Sequence, residues 1–336
     1  MSETPAFDVA VVVVSWNDSE ELYAAVSSLA SARPAVASGR PRVGLTVVVH
    51  GPTDARREEL LSRWAGATVI FNEENRGFGP AANQGASHAA APILLFLNPD
   101  TRAEGGAFAE IVRGFQMHPE AVALAPRLLD VDGDASRSSR RLAPPGREDQ
   151  FTFQLRRLPT LPSDARELLL WDHLFPDNAF RRRARYADFD RESSFEIEQA
   201  AGAALAVRAE AFRRLGGFSE EFLPAWHEDV DLCARIAALG KIRYWPAARF
   251  RHRGGVSLRR LGYERFLPIY YRNALRYRRR HYGRVSRAMY RGLLAAGMLL
   301  RLAVLPLRRG DPRPKGQSAR AYLGGLRVAL GAGRAP

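Results

Sequence analysis

Short apolar runs alternate with helical patterns along the first third of the chain, and this alternation limits the fold more strongly than any other feature. Residues 9–14 are almost all valine, which is typical of a strand buried on both faces of a parallel sheet. Residues 20–31 follow with Leu22, Val26 and Leu29 at helical spacing. Further strands are predicted at residues 43–49, 68–71, 93–97, 122–125, 195–208 and 241–245. The pattern predicts an α/β fold with a doubly wound, mainly parallel sheet flanked by helices, whose ligands lie beyond the carboxyl ends of the strands.

Charge divides the chain into two unlike parts. The net charge is +14, but residues from Arg251 onward include 21 basic and two acidic side chains, so the first 250 residues are net acidic. A basic block of this kind usually meets a polyanion, either an anionic membrane or nucleic acid. The single cysteine, Cys233, excludes a disulfide framework, and the apolar run at 9–14 is too short for a signal peptide. We therefore expect a cytoplasmic protein.

Composition also predicts four regions along the chain. Residues 1–126 and 127–258 are expected to form the two halves of the sheet-containing part, with an irregular insertion at 146–192. Residues 259–309 are expected to be a basic helical extension, and residues 310–336, rich in glycine and arginine, a flexible tail.

The segment 284–309 is the candidate for membrane contact. On a helical wheel, at about 100° per residue, its arginines occupy one arc and its apolar residues the remainder. The arginines are Arg284, Arg287, Arg291, Arg301, Arg308 and Arg309. Such an amphipathic helix typically lies in an anionic membrane surface, which predicts peripheral attachment to the inner face of the cell membrane. A helix packed on the protein's own core with a solvated basic face gives the same pattern.

Polar groups follow two of the predicted strands. Asn98-Pro99-Asp100 comes directly after strand 93–97, where a carboxylate can hold a divalent cation, although an ordinary turn uses the same residue types. His252 follows strand 241–245 and is either a metal ligand or a surface histidine. The loop 73–79 is glycine-rich and leads into a helix N-terminus suited to phosphate, which is a weak signal on its own.

Residues 227–232 open a predicted helix with three acids in four positions. Asp229 and Asp231 cannot share one helix face, so we expect them to have different functions. One of them can act as a base in a cleft while the other caps the helix or pairs with an arginine such as Arg235. Acids that merely complement the helix dipole would explain the same spacing.

Taken together, these segments resemble family 2 of the inverting glycosyltransferases, and within it bacterial rhamnosyltransferases that act on lipid-linked saccharides. The motifs that carry the resemblance stand in the family's order across residues 7–258. They are residues 11–17 (VVVVSWN), 75–79 (NRGFG) with Asn83, 97–100 (LNPD), 202–208 (GAALAVR), 216–218 (GGF) and 228–232 (EDVDL).

The resemblance implies a GT-A fold and inverting transfer of rhamnose or a similar hexose from a nucleotide-sugar to a saccharide hydroxyl. The acceptor it implies is lipid-linked or an oligosaccharide, used in cell-surface polysaccharide synthesis, with no nucleic acid as partner. It implies a divalent metal, Mg²⁺ or Mn²⁺, on Asp100 and His252, and Asp229 as the catalytic base. Donor-binding residues by the same resemblance are Ser15, Asn17, Asn75, Gly77, Asn83 and Asn98. Acceptor-side residues are Trp226, His227 and Glu228.

One position departs from the family's pattern. The second strand of the family usually ends in Asp-Asn-Gly-Ser, whose aspartate holds the nucleotide base, whereas this chain has Val49-His50-Gly51-Pro52. Because the Val49 side chain accepts no hydrogen bond, we expect an altered preference for the donor's base. Two other functions remain open from the sequence: a nucleic-acid-binding protein that uses its basic tail, and a nucleotide-sugar-binding module without activity.

Overall fold

The structure, a computed structural model, describes residues 6–17, 20–33, 41–51, 57–131, 151–255, 259, 261–308 and 313–332. The strands are β1 Val9–Trp16, β2 Val43–His50, β3 Thr68–Asn72, β4 Ile93–Leu97, β5 Thr101–Ala103, β6 Ala121–Asp130, β7 Leu155–Arg156, β8 Phe195–Ile197, β9 Gln199–Ala200, β10 Ala204–Arg208 and β11 Lys241–His252. The helices are α1 Glu20–Ala32, α2 Arg57–Arg63, α3 Phe78–Ser87, α4 Ala107–Met117, α5 Phe151–Gln154, α6 Leu161–Leu168, α7 Trp171–Leu174, α8 Ala179–Ala184, α9 Ala209–Arg214, α10 Glu228–Ile236, α11 Tyr263–His281, α12 Arg284–Val304 and α13 Lys315–Leu330.

Within the described residues, nine strands form one sheet in the order β3-β2-β1-β4-β10-β6-β11-β5, with β8 beside β11. β1 lies between β2 and β4 and is parallel to both, whereas β10 runs antiparallel to β4 and to β6. β11 is parallel to β6, so β1, β2, β4 and β11 all end at the same edge of the sheet. The predicted α/β fold with a mainly parallel sheet is confirmed, and residues 9–14 are buried on both faces, as expected.

Two predicted strands have different limits in the structure. The segment predicted as one strand over 195–208 is divided into β8, β9 and β10, which pair with different strands. Between β9 and β10, Gly202 donates its N–H to the Asp229 carboxylate. The strand predicted to end at Trp245 continues to His252 through an irregularity between Trp245 and Arg249, where Pro246 offers no N–H.

The tail predicted to be flexible contains a packed helix. Over 313–332 the chain forms α13, whose Ala321, Tyr322 and Val328 are buried against α11 and α12. The glycine content was misleading, because Gly325 lets α13 approach Met298 of α12 closely. The irregular insertion also has structure over 151–192, as α5 to α8 and β7, whereas 146–150 lies outside the described residues. The predicted halves 1–126 and 127–258 share the nine-stranded sheet.

The arginine arc of α12 faces the protein and its apolar arc faces outward. Arg291 donates to the Ala329 carbonyl of α13, Arg301 to the Leu168 carbonyl of α6, and Arg308 to the Tyr322 hydroxyl. On the outer arc stand large exposed apolar side chains, which are Val285, Met289, Leu299 and Leu307. By length and composition alone, the segment Arg284–Leu307 is long and apolar enough to cross a membrane. The segment is therefore amphipathic as expected, but Arg291, Arg301 and Arg308 of its basic face bond within the protein, whereas Arg284 is exposed and Arg309 lies outside the described residues.

The contact between α12 and α6 is tested by alanine substitutions at two glycines of α12. A Cβ at Gly297 would lie 2.7 Å from the Leu168 carbonyl oxygen, whereas at Gly292 nothing lies within 4 Å. We expect Gly297→Ala to lower the free energy of unfolding by about 1–3 kcal/mol, because backbone must move. Gly292→Ala, with the same gain in helix propensity, should be neutral or stabilising by up to about 1 kcal/mol. Denaturant unfolding of both variants measures this, and equal effects would contradict the packing.

Candidate active site

Two of the predicted donor-binding residues lie beside each other at the carboxyl end of β1, next to the end of β2. The Ser15 hydroxyl donates to the Asn17 carbonyl at 2.8 Å, and the Asn17 N–H donates to the His50 carbonyl at 2.7 Å. Asn17 has a left-handed backbone with φ of 64°. A Cβ at Gly51 would lie 2.5 Å from the Asn17 amide oxygen, so glycine is needed for this approach. Asn17 is therefore fixed at the strand edge.

The glycine loop before α3 contacts the segment that leads to the acidic helix. The Asn75 side-chain oxygen accepts from the Gly77 N–H at 2.9 Å, and the Phe78 N–H donates to the Pro224 carbonyl at 2.8 Å. Gly77 has a φ of 88°, and a Cβ there would lie 2.5 Å from the Leu223 side chain. The loop 75–77 and residues 223–224 therefore contact each other and form one side of the candidate site, which we call the wall.

Asn83 has its amide committed to the protein. Its Nδ2 donates to the Phe218 carbonyl at 2.9 Å and to the Glu220 carboxylate at 3.1 Å, and its Oδ1 accepts from the Phe218 N–H at 2.8 Å. These bonds hold the turn after Gly217 against α3. Its donor-side role, taken from the resemblance, stays a prediction.

Asp100 and His252 form a buried pair at the same edge of the sheet. His252 is the last residue of β11 and pairs with Thr101 of β5, and its Nε2 lies 3.3 Å from the Asp100 Oδ1. Both side chains are buried, so His252 is not the surface histidine that the sequence left open. Burial opposes ionisation of the Asp100 carboxyl, but the neighbouring His252 and backbone N–H groups lower its pKa below the ordinary value. A negatively charged carboxylate is thus held next to an imidazole.

The chemistry of this pair fits a divalent cation whose coordination is completed by the substrate. No cluster of three or more His, Cys, Asp or Glu side chains suited to a metal is found among the described residues. A carboxylate and an imidazole supply two ligands, and Mg²⁺ or Mn²⁺ commonly takes its remaining ligands from phosphate oxygens and water. Asn98, two residues before Asp100, donates its backbone N–H to the Ala203 carbonyl at 3.2 Å and begins the turn.

Asp229 lies in the first turn of α10 and is partly exposed. Its Oδ2 accepts from the Gly202 N–H at 3.0 Å and its Oδ1 from the Val230 N–H at 2.8 Å. Loss of solvent around the carboxyl raises its pKa above the ordinary value. Asp231 differs, as its position on the helix predicted: it is fully buried and paired with Arg235, and it also contacts His281.

A single turn holds Asp229 and the Asp100 turn side by side. Gly202 donates to the Asp229 carboxylate, and the next residue, Ala203, accepts from the Asn98 N–H and from the Thr101 hydroxyl at 3.1 Å. Both acids are therefore anchored to adjacent residues of the link between β9 and β10. This arrangement places the turn that contains Asp100 and the first turn of α10 at the same link between two strands.

The residues before Asp229 have an unusual backbone and unpaired polar atoms. Trp226 and His227 both adopt left-handed conformations, with φ of 75° and 73°. His227 is buried, neither ring nitrogen has a hydrogen-bond partner among the described residues, and burial lowers its pKa to about 3. Glu228 is also buried with Oε2 unpartnered, and burial together with the Asp229 charge raises its pKa. Buried polar atoms usually have a hydrogen-bond partner, so these three atoms are exceptions, and the acceptor-side role of Trp226, His227 and Glu228 stays a prediction.

Comparison with known proteins identifies the family of this chain. The family model described as Glycosyl transferase family 2 matches residues 10–186, which is more than half of the chain. The chain belongs to glycosyltransferase family 2. A curated relative is the N-acetylglucosaminyl-diphospho-decaprenol L-rhamnosyltransferase of Mycobacterium tuberculosis, 25% identical over 261 residues that cover 74% of this chain and 76% of the relative.

Two solved glycosyltransferase structures share the fold. Mannosyltransferase PcManGT from Pyrobaculum calidifontis, in complex with GDP-Man and Mn²⁺, has a TM-score of 0.52 at 14% identity and covers 98% of this chain and 89% of that one. GalNAc-T7 with UDP, GalNAc and Mn²⁺ has a TM-score of 0.51 at 16% identity and covers 81% of this chain. The present chain spans 48% of the GalNAc-T7 chain. At these identities the likeness shows the GT-A fold alone.

Sequence reasoning did not single out two buried polar residues that contact the segments described above. Val49 lies in the hydrophobic core, and the polar group at that strand end is His50, which is buried with Nδ1 3.1 Å from the Glu74 carbonyl. Burial lowers the pKa of His50. Asn273 of α11 is fully buried and contacts the segment before Asp229. The alternation of side chains along β2 was a signal for His50, whereas nothing in the sequence pattern indicated Asn273.

Two glycines with similar positive φ test the contact of Gly77 with residues 223–224. Gly77 and Gly66 have φ of 88° and 84°, but a Cβ meets Leu223 and Pro224 only at Gly77 and nothing within 4 Å at Gly66. Alanine should destabilise the protein at both positions, and at Gly77 its ψ of 163° adds a conformation that is essentially restricted to glycine. We expect only Gly77→Ala to reduce sugar transfer, because it displaces residues 223–224. Turnover assays at matched thermal stability measure this, and equal losses in both variants would contradict the role of the wall.

Proposed function

We propose that this glycosyltransferase moves rhamnose or a similar hexose from a nucleotide-sugar to a hydroxyl of a lipid-linked saccharide, with inversion and with a divalent metal. The observation that carries the proposal is the turn at Gly202-Ala203, which anchors Asp229 and the Asp100 turn on adjacent residues. The name of the mycobacterial relative supports the sugar and the acceptor class. The Mn²⁺ in the two structural neighbours supports the metal.

The donor is held at the carboxyl edge of β1, β2 and β4. Ser15 and Asn17 line one side, Asn75 and Gly77 the loop side, Asn83 the start of α3, and Asn98 the turn. A divalent ion on Asp100 and His252, when bound, neutralises the charge that develops on the leaving nucleoside diphosphate. Because Val49 is part of the core, base recognition falls to other groups, and the altered base preference remains part of the proposal.

Asp229 is the general base in this mechanism. Each carboxylate oxygen accepts one backbone N–H, which fixes its direction and leaves lone pairs for the acceptor hydroxyl. The raised pKa brings its basicity closer to that of an effective proton acceptor near neutral pH. As the hydroxyl oxygen attacks the anomeric carbon opposite to the diphosphate, its proton passes to Asp229 and the anomeric configuration inverts. Trp226, His227 and Glu228 form the acceptor side.

Two variants separate the roles of the carboxylates and serve as controls for each other. Asp229→Asn should keep metal-dependent donor binding but lose turnover by about 10²–10⁴-fold, the usual contribution of a general base. Asp100→Ala should lose the gain in donor affinity that Mn²⁺ provides. Calorimetric titration of nucleotide-sugars with and without Mn²⁺, together with a transfer assay, measures both. Near-normal turnover of Asp229→Asn, or unchanged metal-dependent binding by Asp100→Ala, would contradict the assignments.

The same proposal places the enzyme on the cytoplasmic face of the cell membrane, where a lipid-linked acceptor is available. The outward apolar side chains of α12 support membrane contact through insertion at the headgroup level. A groove of about 510 Å³ between α11 and α13 is lined by Arg272, Arg320 and Arg327, which supports anionic lipids as partners. Nucleic acid is not favoured, because Arg291, Arg301 and Arg308 hydrogen-bond within the protein.

Membrane contact through α12 is tested by sedimentation with anionic vesicles. We expect the protein to sediment at low salt, and less at high salt, since surface charges are screened. Leu299→Glu should reduce sedimentation because it puts a charge on the outward face. Leu174→Glu on α7, at a similarly exposed leucine, is the matched control. Absence of binding by the wild type, or an equal loss in the two variants, would contradict this surface.

A further inference from the structure

Helix α11 holds the segment that leads into the catalytic aspartate. The fully buried Asn273 donates its side-chain amide to the carbonyls of Ala225 at 2.9 Å and Trp226 at 3.0 Å, and it lies 3.4 Å from the Leu223 carbonyl. Its oxygen accepts from Arg276 at 2.8 Å, which fixes which end of the amide faces the segment. One side chain therefore organises three backbone carbonyls just before α10.

The segment needs such support because of its backbone. Trp226 and His227 are consecutive non-glycine residues with positive φ, and this conformation costs about 1–2 kcal/mol for each residue. Conformations of this kind persist only where surrounding contacts fix them, and they occur often at ligand sites. Asn273 provides these contacts from a neighbouring helix.

The result is a surface of aromatic rings next to Asp229. Trp226 packs edge-on against Phe266 at 4.8 Å between ring centroids, and Phe266 lies 5.6 Å from Tyr270. The His227 ring lies 4.7 Å from Tyr270. Trp226, Phe266 and Tyr270 are only partly buried, so the surface is open to a ligand. Aromatic faces carry partial negative charge and attract the weakly positive C–H groups of a pyranose ring.

Polar groups at the border of this surface have unused hydrogen-bonding capacity. Both ring nitrogens of His227 and the Glu228 Oε2 are buried and unpartnered in the described part of the chain. A neutral imidazole offers one donor and one acceptor, and the carboxyl offers further sites, which together match the hydroxyl groups of a sugar. An apolar ligand such as a lipid chain would leave these atoms unsatisfied.

We propose that Trp226, Phe266 and Tyr270 form a platform for the sugar ring of the acceptor, and that Asn273 is the positioning residue that holds Trp226 and His227 against it. This inference rests on the proposed function, because it specifies how the acceptor is held for Asp229. It assigns to α11, outside the motifs of the sequence, the recognition of the ring that carries the attacking hydroxyl. Tyr270 and Phe266 bind the ring, whereas Asn273 acts through the segment 223–227.

The platform is tested by equilibrium binding of two probes that differ by one sugar ring. The probes are N-acetylglucosaminyl diphosphate on a short alkyl chain, and the same alkyl diphosphate without the sugar. We expect Phe266→Leu and Tyr270→Leu to weaken binding of the first probe by about three- to tenfold and to leave the second unchanged. Phe175→Leu, at an exposed aromatic on the insertion, is the matched control and should bind both probes like the wild type.

The positioning role of Asn273 is tested by comparing the effects of one substitution on kcat, on the KM for the acceptor and on the KM for the donor. Asn273→Ala should raise the KM for the acceptor and lower kcat while the KM for the donor stays unchanged, whereas a general loss of structure would affect both substrates. Failure of the wild type to bind the sugar probe, or equal weakening of both probes in the platform variants, would overturn the inference. Transfer of sugar by a platform variant with an unchanged acceptor KM would overturn it too, yet leave the proposed function intact.

Discussion

The turn at Gly202-Ala203 is the contact on which the site depends. It connects the antiparallel strand β10, which lies in the middle of the sheet beside β4, to the acidic helix α10 and to the Asp100 turn. A backbone N–H and a backbone carbonyl of the turn make these contacts, with the Asp229 carboxylate on one side and the Asn98 N–H and the Thr101 hydroxyl on the other. Because β10 is buried between β4 and β6, movement of the turn would disturb the core of the sheet. The turn that contacts both acidic segments is thus part of the core of the sheet.

The strands of the sheet and the positions of the acidic residues could largely be predicted from the sequence. The valine-rich β1 and the apolar β4 have unambiguous patterns because both of their faces are buried, and Asp100 follows β4 directly. The different environments of Asp229 and Asp231 follow from helix geometry. The position of His252 at the end of β11 was harder to predict, because the irregularity at Pro246 interrupts the strand pattern in the sequence. Asn273 was beyond prediction, since its role depends on how α11 packs against a segment about 50 residues earlier.

The C-terminal helices show why composition is a weak guide to surfaces. A run of arginines suggested a solvated basic face, yet a guanidinium satisfies several backbone carbonyls at once, and helix ends supply unpaired carbonyls. Arg301 uses this at the end of α6 and Arg291 near the end of α13. Arg278, buried with Asp164 of α6 and stacked on Tyr282, adds another link to the insertion. The helices therefore belong to the fold, and they leave both apolar side chains of α12 and arginines of α11 and α13 on the outside.

In the proposed complex the nucleotide-sugar lies with its diphosphate at Asp100 and its anomeric carbon toward Asp229. The most direct measurement is a crystal structure with a nucleotide-sugar and Mn²⁺ bound to the Asp229→Asn variant. We expect Asp100 and His252 both to coordinate the cation and the diphosphate to contact it. We also expect residue 229 to face the anomeric carbon from the side opposite to the diphosphate. A donor bound with its diphosphate away from Asp100, or with residue 229 on the leaving-group side, would contradict it.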